Sequence, residues 1–126
     1  MPESPIFARC DELVLWVLRA TVRYPRPYRA ALGRATQEAT LLLQRELIAA
    51  ARRKDRRAAL QAADEALSEL RILLRQGNSL KLLTIGQYEH AARLADEVGR
   101  LIGGWRKAQA RAATGQSDGA GNGEGA

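Results

Sequence analysis

Residues 55–88 read DRRAALQAADEALSELRILLRQGNSLKLLTIGQY, and this stretch decides the fold. Leu60, Ala63, Leu67, Leu70 and Leu74 recur at alternating spacings of three and four, which places them on one side of an α-helix. Asp55 stands where an N-cap side chain can accept orphan amide hydrogens, and Gly77-Asn78 stands where a left-handed C-cap would end the helix. Thr84-Ile85-Gly86-Gln87 then has the capping-box pattern, in which side chain and backbone satisfy each other's orphan donors. The stretch is therefore one amphipathic helix, a short turn and the start of a second helix.

The same periodicity extends outward in both directions. The helix opened by Thr84 carries Tyr88, Ala91, Ala95, Val98, Leu101 or Ile102, and Trp105 on one face. Upstream, a segment from about Tyr28 to Arg53 turns Leu32, Ala35, Ala39, Leu42, Leu43 and Leu47 inward, and a first segment from Pro5 to Tyr24 does so with Phe7, Cys10, Val14, Val17 and Thr21. Pro25, Pro27 and the charged knot Arg52-Arg53-Lys54-Asp55 separate these segments. Four helices joined by short turns predict an all-α, up-down-up-down four-helix bundle over residues 1–113. From Thr114 onward, TGQSDGAGNGEGA lacks apolar periodicity and reads as a disordered glycine-rich tail. A length of 126 residues suits one domain, and 46% apolar residues with a single Phe, two Trp and three Tyr imply a core of aliphatic side chains.

Two helices carry more apolar surface than one core can cover. Trp16 projects about 200° from Val14, and Leu15 lies beside it, while Leu41 and Ile48 widen the stripe of the second helix. Leu15, Trp16, Leu41 and Ile48 are thus candidates for an oligomer or partner interface. Gly99, Gly103 and Gly104 weaken the last helix, which suggests close approach of a neighbour.

Charge points to an anionic partner. Lys and Arg number 20 against 14 acids, and 17 of the cations are arginines, whose planar fork suits phosphate and carboxylate. Asp118 and Glu124 lie in the tail, so the body holds 20 cations against 12 acids, a net +8. Arg71 and Arg75 lie one turn apart beside the Leu60–Leu74 seam, on a polar line with Asp64 and Ser68. Arg52, Arg53, Lys54, Arg56 and Arg57 crowd a helix-helix turn, and Arg93, Arg100 and Lys107 stripe the last helix. Few aromatics are available for base stacking, so phosphate contacts would dominate.

Catalysis and metal binding find little support. His90 and Cys10 are each alone of their kind, and Cys10 sits on a core stripe, so no His or Cys cluster and no Cys-His nucleophile is expected. The clusters Asp64, Glu65, Glu69 and Asp96, Glu97 have arginines within a turn, such as Arg93–Glu97, and read as solvated helix surface. No phosphate-binding glycine loop or nucleophile elbow occurs, so no cofactor, metal or catalytic residue is assigned. The apolar run Leu13–Leu18 is too short for a membrane span and lacks a basic signal-peptide start, and a single cysteine suits a reducing compartment, so a cytoplasmic location is expected.

Several motifs together carry a family resemblance. They are Tyr24-Pro25, Leu60 with Ala63-Asp64, Leu70-Arg71-x-Leu73-Leu74-Arg75, Leu80-Lys81-Leu82-Leu83-Thr84 with Gln87-Tyr88, and Glu97-Val98-Gly99-Arg100-Leu101-Ile102-Gly103-Gly104-Trp105. From about Tyr24 to Lys107 the chain resembles the four-helix-bundle family that includes the accessory variability determinant of diversity-generating retroelements and the proteins encoded in intervening sequences of bacterial 23S rRNA genes. The resemblance implies a homopentameric ring with a basic surface and pore, bacterial or phage-encoded. It further implies association with a reverse transcriptase, its template-repeat RNA and the RNA/cDNA hybrid during mutagenic cDNA synthesis, without polymerase activity of its own. By match to the Leu-Arg segment, it makes Arg71 and Arg75 the nucleic-acid-binding arginines, and it makes the surplus apolar faces subunit contacts. The alternatives are a bundle of the intervening-sequence type and a helical adaptor for an acidic protein. Pro27 and the tail depart from the usual pattern of the family.

Overall fold

Apolar residues at helical spacing become helices along the whole chain. The computed structural model describes the backbone of residues 5–122 and the side chains of residues 5–115. Its elements are α1 (Ile6–Thr21), a short α2 (Arg26–Tyr28), a π-helical turn (Arg29–Gly33), α3 (Arg34–Arg52), α4 (Arg57–Ser79) and α5 (Ile85–Asn122). Among the described residues there is no strand. The four long helices pack as neighbours in chain order, α1 on α3, α3 on α4 and α4 on α5, and α5 closes the ring against α1. Short connections force successive helices to run antiparallel, so this is a four-helix bundle.

The core is aliphatic, as the composition requires. Leu13 and Val17 from α1, Leu43 and Leu47 from α3, Leu60, Leu70 and Leu74 from α4, and Val98 and Ile102 from α5 are almost wholly buried. Threonines also enter the core, because their hydroxyls have partners within their own helix. Thr21, Thr36 and Thr40 donate to the carbonyls of Val17, Leu32 and Thr36 at 2.7–2.8 Å. The Gln37 amide donates to the Thr21 hydroxyl at 2.7 Å, tying α3 to the end of α1.

The capping box forms as the sequence predicts. The Thr84 amide donates to Gln87 Oε1 at 2.9 Å, and the Gln87 amide donates to Thr84 Oγ1 at 3.1 Å. Thr84→Ala is expected to lower stability by about 1 kcal/mol, read as a shift in chemical-denaturation midpoint with an unchanged slope.

Other boundaries differ from expectation for identifiable reasons. Gly77 does not end its helix; α4 continues to Ser79, and the left-handed residue is Lys81, φ 63°. Gly77 instead provides space. A Cβ there would lie 2.6 Å from the Tyr24 hydroxyl and 3.2 Å from Leu83 Cδ1, so the turn after α1 and the turn after α4 interlock over a bare backbone. Tyr24 is 2% exposed, and its hydroxyl has no hydrogen-bond partner among the described residues. Asp55 lies one residue before the N-cap position, held by Arg56, yet it still accepts the Arg57 amide at 3.1 Å. The second helix does not run unbroken from Tyr28, because Arg29–Gly33 is π-helical and α3 begins at Arg34. Nor does the chain leave the helix at Thr114: α5 continues to Asn122, since extending a helix already nucleated by packing gains a hydrogen bond for each residue fixed. The last residues of the expected tail, 123–126, lie outside the described residues. Past Trp105, α5 runs by the α3–α4 turn, where Gln109, Ala112 and Ala113 border a groove with Lys54 and Arg57.

Candidate nucleic-acid interface

The α4–α5 face holds the arginines singled out in the sequence. Arg71 points across α5 because Gly99 leaves room: a Cβ at that glycine would stand 2.8 Å from the Arg71 guanidinium and 3.3 Å from Leu67. The guanidinium pairs with the Asp96 carboxylate and donates to the Ala95 carbonyl at 3.4 Å. Arg75, one turn on, has no partner among the described residues and borders a groove of about 260 Å³ with Arg71, Tyr88 and Asp96. A second groove of about 390 Å³ joins Arg71 to Ser68, Asp64 and Arg100. Arg106 closes this face by pairing with Asp64 at 3.2 Å and donating to Gln61 at 2.7 Å.

Three of the carboxylates expected to pair within their own helix, Asp64, Asp96 and Glu97, pair across helices instead, while Glu65 accepts from Gln61 of its own helix. Glu97 meets Arg9 of α1 at 3.8 Å rather than Arg93. Packing decides this, because antiparallel helices bring side chains of distant sequence position closer than a turn of one helix does. Arg93, Arg100 and Lys107 remain exposed without acid partners among the described residues.

The knot at the α3–α4 turn divides in two. Arg52, Arg53 and Lys54 are exposed, and their side chains have no partner among the described residues. Arg57 grips Asp55 through two contacts of 3.1 and 3.2 Å, which hold the Asp55 carboxyl below its ordinary range. Arg56 donates to the Arg53 carbonyl at 2.9 Å and lies 5.6 Å over the Trp105 ring, a cation-π contact that seals the end of the core. Three of the five cations are therefore free to meet an anion, and two serve the turn.

Of the four interface candidates, Leu15, Leu41 and Ile48 are exposed, at 41, 37 and 42%. The Gln37–Thr21 bond at one end and a groove lined by Asp11 and Ile48 at the other set an antiparallel register that places Leu15 opposite residues 43–44, between the levels of Leu41 and Ile48. Trp16 departs from expectation. It is half-buried against the core, its ring 6.0 Å from that of His90, because α5 flanks the side of α1 that the Val14 stripe leaves open. Gly103 and Gly104 meet nothing within 4 Å, so only Gly99 serves packing inside the bundle.

One basic surface escaped the sequence reading. Arg23, Arg26, Arg29, Arg34 and Lys81 are all exposed at the end where Tyr24 and Leu83 interlock, and none has an ion pair among the described residues. The signal was present in the sequence: no acid occurs between Glu12 and Glu38 or between Glu69 and Glu89.

Burial first, and the Asp11 carboxylate second, push the Cys10 thiol up to about 11, so it is protonated and unreactive at neutral pH. Among the described residues no group of three or more His, Cys, Asp or Glu side chains could hold a metal, and no helix is long and apolar enough to cross a membrane. The helical bundle thus carries exposed arginines without ion pairs among the described residues, and exposed aliphatic side chains on α1 and α3. A protein-family model described as bAvd-like matches residues 6–109, from the start of α1 to Gln109 within α5. The chain belongs to this bAvd-like family, the relatives of the accessory variability determinant. No curated protein matches it.

Proposed function

We propose that the protein is a non-catalytic accessory subunit of a retroelement reverse transcriptase, working in the cytoplasm as a pentameric ring that holds template RNA and the RNA/cDNA hybrid. The observation that carries this reading is the separation of surfaces in a bAvd-like chain: free cations on α5, on the edge of α4 and at the α3–α4 turn, and an aliphatic strip on α1–α3. The strip suits contact between copies, and the arginines suit phosphates, whose counterions are released on binding. The polymerase docks on an outer face of the ring, which keeps enzyme and template together.

Light scattering is expected to give a mass near five chains, and RNA affinity is expected to fall steeply with salt. Arg75→Ala should weaken RNA binding more than Arg71→Ala, because Arg71 must exchange the Asp96 carboxylate for a phosphate while Arg75 has nothing to give up. The double variant should reduce the slope of log affinity against log salt by about 1.4 to 1.8. A monomer that ignores RNA at low salt would remove this reading.

A further inference from the structure

The proline-turn end of the bundle has three properties that occur together nowhere else among the described residues. First, it is basic, and its cations have no ion pairs among the described residues. Arg23, Arg26 and Arg29 come from the α1–α3 connection, Arg34 from the start of α3 and Lys81 from the α4–α5 turn, and folding brings them to one end because Tyr24 and Leu83 meet over Gly77; Arg29 is held there only by donating to the exposed Val22 carbonyl at 3.5 Å. The opposite end is weaker by comparison, since Asp55 there neutralises Arg57 and Arg56 is committed to Trp105. Second, an aromatic ring lies within this charge. Tyr28 is 40% exposed between Pro27 and Arg29, and among the described residues neither a ring nor a hydrogen bond engages its side chain. Third, aliphatic side chains are exposed at the same end, Val22 at 57%, Leu80 at 47% and Ile85 at 61%. Duplex nucleic acid shows a partner mainly its phosphates and buries its base faces. A single strand presents phosphates together with apolar base faces, which is the complement of this surface.

The chain also enters α3 through a π-helical turn at Arg29–Gly33, a widened geometry that tends to be kept where side chains must be aimed. Gly33 there packs 3.5 Å from the Tyr24 ring, as measured from where a Cβ would sit.

We infer that this end is a binding site for single-stranded RNA, in which Arg26 and Arg29 hold phosphates and a base stacks on Tyr28. The inference rests on the accessory reading and adds to it a second, stacking site distinct from the α4–α5 arginines. The test is a salt-dependent anisotropy titration with a short labelled single-stranded RNA and with the same RNA annealed to its complement. The wild-type protein should prefer the single strand. Arg26→Ala with Arg29→Ala should reduce the single-strand salt slope by about 1.4, the value for two lost phosphate contacts. Tyr28→Ala should weaken single-strand binding about tenfold with the slope unchanged, and Tyr28→Phe should restore it, since the ring and not the hydroxyl stacks.

These residues are exposed, so melting temperature and light-scattering mass should match wild type. Photocrosslinking of thiouridine-bearing RNA to the unmodified chain gives an independent readout, with the adduct expected within residues 23–34. If wild type binds RNA while these variants keep its affinity, slope and single-strand preference, and the crosslink falls elsewhere, the inference is wrong and the accessory reading survives. If wild type binds no RNA, both fall. If the variants bind RNA normally but lose an acidic protein segment, the surface is a protein-docking site and the inference is overturned.

Discussion

Gly77→Ala is expected to lower stability by about 1–3 kcal/mol, although alanine favours an isolated helix over glycine by about 1 kcal/mol. The added methyl would sit 2.6 Å from the Tyr24 hydroxyl, which belongs to a stiff ring almost fully enclosed by the core, and 3.2 Å from Leu83. Neither group can yield without opening the lock between the two turns. Tyr24→Phe removes the oxygen that clashes. On its own it should be neutral or stabilise by up to about 1 kcal/mol, because the buried hydroxyl has no partner and folding strips it of water without return. Combined with Gly77→Ala it should recover most of the loss, leaving a coupling of about 1–2 kcal/mol between the two positions. Denaturant melts of the four proteins at one fixed chain concentration measure this cycle. Additive effects would show that the hydroxyl and the glycine are not in contact.

Leu41→Glu with Ile48→Glu is expected to reduce the light-scattering mass to that of a single chain while leaving helical content unchanged. Both side chains are exposed in the lone bundle, so a carboxylate at either site stays hydrated when the chain is free. In a ring that covers the strip, each would be stripped of water beside apolar neighbours, at a penalty of several kcal/mol per charge. Repetition around a closed ring multiplies the penalty. Ile72→Glu provides the control, since Ile72 is equally exposed at 45% but lies on α4, away from the strip. Loss of assembly with the first pair and retention with the second would assign the interface to α1–α3. Equal effects, or none, would place subunit contacts elsewhere.

Much of the architecture was legible because it depends on local periodicity. The Leu60–Leu74 spacing and the Thr84–Gln87 box each involve residues within a few turns, and each is present in the folded chain. The Gly77 misreading marks the limit. Glycine near a helix end ordinarily signals a left-handed cap, but here Tyr24, far away in sequence, needs the space more than the turn needs the conformation. Trp16 fails for a related reason. Its side chain lies away from the Val14 stripe, but a helix in a closed ring has two flanks as well as an inner face, and α5 occupies one of them.

The arginines divide most sharply along this line. Their number, their excess over acids and the acid-free segments beside Pro25 and Pro27 belong to the sequence alone, which thereby determined a basic helical protein with an anionic partner in prospect. Which arginines are free was decided only by the tertiary structure. Asp96 reaches Arg71 and Asp64 reaches Arg106 from a neighbouring helix, and Trp105 lies under Arg56 from far along the chain. Ion pairs and cation-π contacts act over a few ångströms, and packing of antiparallel helices sets those distances without regard to separation along the chain.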